Sequence, residues 1–386
     1  MKIEQAINIE DLRRLARRRL PRLAFDYLDG GVEDEACLAR NRSAFESCRL
    51  IPRYLVDVST RDQSTALFGR TYASPFGIAP TGLAGFIRRG GDEALAAAAA
   101  SANIPFVLSG SSNASIETIA KIAPRHAWCQ LYTARDPSIT HDMIRRARDA
   151  GFETLVVTVD VPVRSKRERD IRNGLAAAAR PRLGIMLDAL LHPAWLAVLV
   201  RYGTPRFDTW AAYCAPDARA RDVAVFLSTQ FPAPQTWQDV EAWRRLWPGK
   251  LVLKGILHPD DARRAAQANV DGIIVSNHGG RQLDCAPAPI EVLATVRAAV
   301  GDQLVVMLDS GIRRGADVLK AVALGARFVF VGRATLYGAA AAGLAGATRA
   351  IEILRDEIDL VMAQIGCRTL ADLPGCRVEG PGSATA

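Results

Sequence analysis

His278 and Arg281 stand three residues apart, directly after an apolar run at residues 271–275. A run of that length and composition is expected to be a strand buried on both faces, so both side chains leave one strand tip. Gly279 and Gly280, between them, let the backbone turn and be approached closely. A base beside a fixed cation suits removal of a proton from a substrate whose carboxylate the cation holds. Taken alone, the pair reads more readily as a loop histidine with a solvated arginine. The remainder of the chain decides between the two.

Other polar residues recur at the ends of short apolar runs, at residues 76–80, 105–110, 127–132, 154–160, 251–255, 272–277, 304–309 and 328–332. In that order they offer Pro80, Thr81 and Gly82; Ser109; Gln130 and Tyr132; Thr158 and Asp160; Lys254; Ser276, His278 and Arg281; then Asp309, Ser310, Gly311 and Arg313; and finally Gly332 and Arg333. Lys254 lies inside an apolar run and needs an electron-rich partner, because an unpaired buried ammonium is costly. Glycines 311, 315 and 332 with nearby arginines suit a phosphate held by backbone N–H groups.

Ala-, Arg- and Leu-rich segments with helical spacing separate most of these runs, as at residues 92–102, 136–150, 259–268 and 315–324. Eightfold strand–helix alternation predicts an α/β (β/α)8 TIM barrel over residues 66–386, whose strand ends converge on one site. A doubly wound sheet is the alternative, but no GxGxxG turn follows the first strand. Residues 1–65 form a helical N-terminal segment in this reading. Residues 340–365 continue as helix after the barrel, and 378–386 form a frayed tail.

Between the fourth and fifth strands lies an insertion, residues 161–249, far longer than an ordinary βα loop. Its segment 183–200 is strongly apolar, but Asp188, His192 and Pro193 interrupt it, which argues against a spanning helix. Arg180, Arg182, Arg201 and Arg206 flank it, and Trp195 lies within. Residues 180–206 therefore fit a membrane interface, or a lid or subunit contact burying the same surface.

The 386 residues are 49% hydrophobic and 23% charged, an ordinary globular composition, with a net charge of +8. That charge fits acidic small molecules, anionic lipid or nucleic acid. No zinc-ligand cluster, aromatic RNA-binding motif or basic helical repeat supports nucleic acid. Seven cysteines without a CxxC pair suggest reduced thiols, and the first eight residues lack a signal-peptide core, so a cytoplasmic location is expected.

The motifs SNHGGRQLD (276–284), LDSGIRRG (308–315) and TVDVP (158–162) followed by RERD (167–170) resemble those of the FMN-dependent 2-hydroxy-acid dehydrogenases and oxidases. The resemblance runs from FDYLDGG (25–31) to QIGC (364–367), and LHPAW (191–195) and GRATLYG (332–338) look most like its mandelate and lactate dehydrogenase branch. It implies FMN as cofactor, an (S)-2-hydroxy acid as substrate, a quinone or other electron acceptor, peripheral attachment to the inner face of the cell membrane, and a homotetramer.

Carried over motif by motif, it makes His278 the active-site base and Asp160 its partner. Arg281 and Arg167 clamp the carboxylate, Tyr27 donates to it, and Tyr132 lies beside the substrate hydroxyl. Lys254 faces the flavin edge. Pro80, Thr81, Gly82, Ser109, Gln130, Thr158 and Ser276 surround the ring and ribityl. Asp309, Ser310, Gly311, Arg313, Gly332 and Arg333 hold the ribityl tail and phosphate. Similar glycolate oxidases carry tryptophan where Ser111 falls and alanine at Gly82, so smaller residues here imply room for an aromatic or longer aliphatic side chain. An O2-using oxidase, or an FMN barrel acting on a different substrate, remain the alternatives.

Overall fold

The computed structural model describes residues 1–175, 183–375 and 378–379; Arg180, Arg182 and most of the expected tail lie outside them. Eight parallel strands close into a barrel: β1 (Phe76–Ile78), β2 (Phe106–Leu108), β3 (Ala127–Leu131), β4 (Thr154–Thr158), β5 (Lys250–Ile256), β6 (Gly272–Val275), β7 (Val305–Asp309) and β8 (Phe328–Val331). The ring is sealed where β8 pairs with β1, Val329 opposite Phe76.

The runs are apolar throughout because both strand faces are buried. Val107, Trp128, Val156, Val252, Ile274, Met307, Phe328 and Phe330 fill the interior. Their neighbours along the strands, such as Leu108, Leu155, Leu253 and Ile273, pack outward under the helices. A hairpin, Thr65–Leu67 with Arg70–Tyr72, inserts Leu67 and Tyr72 into the interior cluster. These side chains fill the lower barrel, and the cavity described below opens at the strand C-terminal ends.

Three departures from the sequence expectation concern the flanks. The N-terminal segment is helical only to Glu46, through Ile9–Arg19, Arg22–Asp29 and Ala36–Glu46; beyond it the chain is largely irregular as far as Ser64. The C-terminal helix breaks at Gly343 (φ 61°) into Arg333–Ala342 and Leu344–Gln364. Val378–Glu379 does not fray but pairs antiparallel with Arg49–Leu50.

The insertion is mostly helical among the described residues, including Leu183–Leu190, Pro193–Tyr202, Ala220–Gln230 and Trp237–Leu246. It is welded to the barrel by Trp210, which is 0% exposed and donates its indole N–H to the Gly110 carbonyl at 2.7 Å. Truncating a tryptophan so placed costs about 3–5 kcal/mol. Among the described residues no single helix is long and apolar enough to cross a membrane. Leu183–Leu190 and Pro193–Tyr202 meet instead at a 107° bend, with Leu191 and His192 between them and Pro193 opening the second helix; Asp188, expected to interrupt, lies within the first. Leu183, Met186, Leu187, Leu190, Leu191 and Val200 are exposed on this pair. Trp195, expected at the interface, is buried, packed edge-on against Phe86 with its N–H on the Phe86 carbonyl.

Candidate active site

The β6 tip is shaped by residues that accept left-handed backbone. His278, Gly279 and Gly280 have φ of 59°, 70° and 71°. At Gly280 a Cβ would lie 2.7 Å from the Leu38 backbone nitrogen, so this position needs glycine for space as well as for φ. Asn277 pins the turn from behind by exchanging amide hydrogen bonds with Asn41 at 2.9 and 2.6 Å, both side chains buried.

His278 thereby projects into the barrel mouth between two partners. Its Nδ1 is 2.9 Å from Asp160 Oδ1, and its Nε2 is 3.2 Å from the Tyr132 hydroxyl. Asp160 reaches it because β5 bulges after Lys254. The register shifts there, and Gly255 (φ 110°) offers no Cβ where one would sit 2.5 Å from the Asp160 Cβ. Burial pushes the imidazole pKa down and the Asp160 charge only partly restores it, so it stays below the usual value. Burial works against the Asp160 carboxylate too, but His278 and Lys254 outweigh it and hold its pKa below the usual range. The resulting assignment is a neutral imidazole that donates Nδ1–H to a carboxylate and keeps Nε2 basic.

Lys254 is 3% exposed and has the partner its burial demands: Asp309 at 3.3 Å, with its Nζ donating to Ser276 Oγ at 3.0 Å. Burial would push the ammonium down, but Asp309 and Asp160 outweigh it and hold its pKa above normal. It is a fixed cation facing the cavity.

That cavity, about 220 Å³, is lined by Tyr27, Pro80, Thr81, Gly82, Ser109, Ser111, Tyr132, Arg167, Lys254, His278, Arg281, Asp309, Ser310, Gly311, Arg313, Gly332 and Arg333. Residues expected from all over the chain are therefore brought together. Gln130, Thr158, Asp160 and Ser276 do not line it. They lie one layer behind, where Gln130 donates to Thr158 Oγ1 at 2.6 Å and Ser276 Oγ accepts from the His278 N–H at 3.0 Å. Gly315 lies apart, packed on the helix Leu344–Gln364, where a Cβ would meet the Ile358 nitrogen at 2.4 Å.

Arg281 sits over the Tyr27 ring at 4.8 Å. Its Nη1 donates to the carbonyls of Tyr27 and Gly30, while its Nη2 is buried without a partner among the described residues. Arg167 makes two long contacts of 3.4 Å, to the Arg281 carbonyl and to Gln282 Oε1. Burial, with Arg281 beside it, pushes the Arg167 pKa down to about 10. Tyr27 donates to the Gly82 carbonyl at 3.2 Å. Arg333, expected at a phosphate, has its three guanidinium nitrogens on the carbonyls of Leu28, Gly279 and Gly30. Burial, then Arg281, pushes its pKa down to about 9. Three guanidiniums thus face one another with no carboxylate hydrogen-bonded to any of them among the described residues. That arrangement suits an anionic ligand.

The profile of the FMN-dependent dehydrogenase family matches residues 16–378. This chain belongs to that family. It is 43% identical to an (S)-mandelate dehydrogenase of Pseudomonas putida over 96% of this chain and 93% of that protein. Against an L-lactate dehydrogenase of Caulobacter vibrioides it is 41% identical, over 94% and 95% of the two. A crystal structure described as the monotopic membrane protein (S)-mandelate dehydrogenase superposes with a TM-score of 0.93 at 42% identity, covering 97% of this chain and all of that one (100%). A mandelate oxidase structure gives 0.83 at 39% identity, covering 97% and 98%.

As an FMN-dependent dehydrogenase, the protein is an oxidoreductase whose cofactor is FMN. The residues present fit it. Thr81 Oγ1 is buried at the cavity wall without a partner among the described residues, Lys254 sets a positive charge on the same wall, and Gly311 (φ 89°) and Arg313 line the cavity together. Residues 79–82, Ser109 and Lys254 could hold the ring system, and residues 310–313 with Gly332 the phosphate end.

Several lining residues were not singled out from sequence. Phe231, deep in the insertion, packs on Tyr132 with ring centroids 4.3 Å apart and the planes tilted by 41°, and Val161 and Leu336 are among the other lining residues. Phe231 sits in no local pattern, so only the folded insertion reveals it. Gln282 lies inside the SNHGGRQLD motif and bonds the Asp160 carbonyl at 3.1 Å; its place there was a usable signal.

Proposed function

We propose that this enzyme oxidises an (S)-2-hydroxy acid with an aromatic or longer aliphatic side chain, mandelate-like or lactate-like, to the 2-oxo acid. The observation that carries the reading is the buried, unpartnered Nη2 of Arg281 in the same cavity as the Asp160–His278 pair. Arg281 and Arg167 bind the carboxylate, a task suited to the planar guanidinium fork, and Tyr27 turns its hydroxyl from Gly82 to the same group. Tyr132 donates to the substrate hydroxyl. His278 accepts the substrate proton at Nε2, and Asp160 holds the resulting imidazolium at Nδ1. Bound FMN would supply the two-electron acceptor, and Lys254 would hold a positive charge beside it. The substrate side chain faces Gly82 and Ser111.

The electrons then pass to a membrane acceptor such as a quinone, with the bent helix pair docked on the inner face of the cell membrane. Support comes from the exposed leucines of Leu183–Leu190 and from the description of the superposed mandelate dehydrogenase as a monotopic membrane protein. The mandelate oxidase likeness favours a second reading, direct use of O2. A homotetramer belongs to the proposal as well, tested by light scattering. The deciding experiment is anaerobic titration of the purified flavoprotein with (S)-mandelate, L-lactate and glycolate. Bleaching of the flavin by the first two is expected; a flavin that none of them reduces would end the proposal. Reoxidation by quinone without peroxide separates dehydrogenase from oxidase.

A further inference from the structure

A second cavity, of about 160 Å³, lies where the helix Pro193–Tyr202 rests on the barrel, and the chemistry above does not use it. Arg19 and Arg88 line it together with Phe86, Trp195 and Leu199. Arg88 Nη1 is buried with no hydrogen-bond partner among the described residues. Burial pushes the pKa of both guanidiniums down, and the one charge acting appreciably on Arg88 is that of Arg19, of the same sign. No carboxylate among the described residues relieves either. Half-burying two adjacent cations without a counter-charge is unfavourable, and an anion with several acceptor oxygens removes the penalty.

The surroundings say where that anion comes from. The helix that floors the cavity continues, through the bend, from the one exposing Leu183, Leu187 and Leu190. At its other end Arg89 and Arg201 lie over the Tyr202 ring at 4.1 and 5.2 Å, a basic and aromatic rim. Exposed leucines on one helix of the bent pair and cations along the other match the two layers a membrane presents, acyl chains and phosphates.

We propose that the Arg19–Arg88 cavity binds the phosphate of an anionic phospholipid headgroup, so that the insertion docks through one specific contact as well as through its apolar surface. The inference rests on the membrane-docking reading above and adds a headgroup preference to it.

The test is co-sedimentation of the FMN-loaded protein with vesicles of phosphatidylcholine alone and of phosphatidylcholine containing phosphatidylglycerol. The wild type should favour the phosphatidylglycerol vesicles. Arg88→Gln and Arg19→Gln should each reduce that preference about fivefold or more. Binding to neutral vesicles and anaerobic flavin reduction should not change, and melting temperatures should hold or rise, since an unpaired cation is removed. An equal loss from Arg201→Gln, outside the cavity, would indicate a diffuse field and overturn the site. So would a preference that Arg88→Gln leaves intact while inorganic phosphate raises the melting temperature of the wild type alone, which assigns the cavity to a free anion. Wild-type binding to both vesicles without preference overturns the headgroup site only; binding to neither overturns the docking reading as well.

Discussion

Asp160 Oδ1 lies 2.9 Å from Nδ1 of His278, a half-buried imidazole whose other nitrogen faces Tyr132 in the cavity. The carboxylate fixes the tautomer, and burial keeps the ring neutral, so the base is ready near neutral pH. Turnover should fall on acidification through the His278 pKa, which lies below the usual histidine value. Asp160→Asn removes the charge that supports protonation. It should move the acid limb to still lower pH and cut the rate of flavin reduction by about 10²- to 10⁴-fold. Stopped-flow reduction across pH reads both effects, and an acid limb that moves upward would contradict the assignment.

Arg281 carries a free, buried Nη2 while depressing the pKa of both Arg167 and Arg333. Arg281→Met should therefore leave the fold intact, because it relieves repulsion, yet lower kcat/KM on the order of 100-fold through the lost charged contact. Retention of turnover with an unchanged KM would show that the carboxylate binds elsewhere.

Gly82 and Ser111 form one wall: a Cβ at position 82 would stand 3.1 Å from the Ser111 Cβ and 3.4 Å from the Tyr27 hydroxyl. Gly82→Ala should narrow the substrate side-chain space and disturb Tyr27. We expect kcat/KM for (S)-mandelate to fall about tenfold more than that for L-lactate. Equal losses for the two acids would mean that the side chain points away from this wall.

The barrel was legible in the sequence because buried parallel strands write themselves as uninterrupted apolar runs, and each of the eight lies where its run stands. His278, Arg281, Lys254 and Tyr132 were legible for a related reason: each is a polar residue at or just past the end of such a run. What escaped was set by packing between distant segments. Phe231 reaches Tyr132 only through the folded insertion, and Trp195 turns inward because Phe86 offers it both a ring and a carbonyl. Gln130, Thr158 and Ser276 share the strand-end signature, but their side chains are consumed by hydrogen bonds behind the cavity. Strand position alone does not distinguish the two layers.

Lys254 and Asp309 are buried together, so their contributions to stability and to chemistry separate only when both are changed. Lys254→Met leaves the Asp309 carboxylate buried with Ser310 as its remaining side-chain donor and should destabilise the protein by about 3–5 kcal/mol. Adding Asp309→Asn should restore much of that stability in denaturant unfolding. Flavin reduction should stay slow in both variants, since neither has the cation. Recovery of the rate together with the stability would make Lys254 a structural residue alone.

Asp92 offers a test of pH-linked stability away from the reacting groups. Its carboxyl is 1% exposed and accepts from the Asn113 N–H at 3.1 Å, bracing the turn that follows Ser111. Burial, only partly offset by hydrogen bonds from Ser112 and residues 113–114, pushes its pKa up to about 7. The unfolded chain releases this proton near pH 4, roughly the ordinary aspartate value, while the folded protein retains it to about 7. The stabilisation is therefore complete at low pH and drains away as pH rises through that window. Asp92→Asn keeps an acceptor oxygen but no titrating proton. Its melting temperature should lose this downward component between about pH 4 and 7, and should exceed that of the wild type most clearly at the upper end. Identical slopes in calorimetric scans of the two proteins would mean that the Asp92 carboxylate is already ionised in the fold and that its backbone donors outweigh its burial.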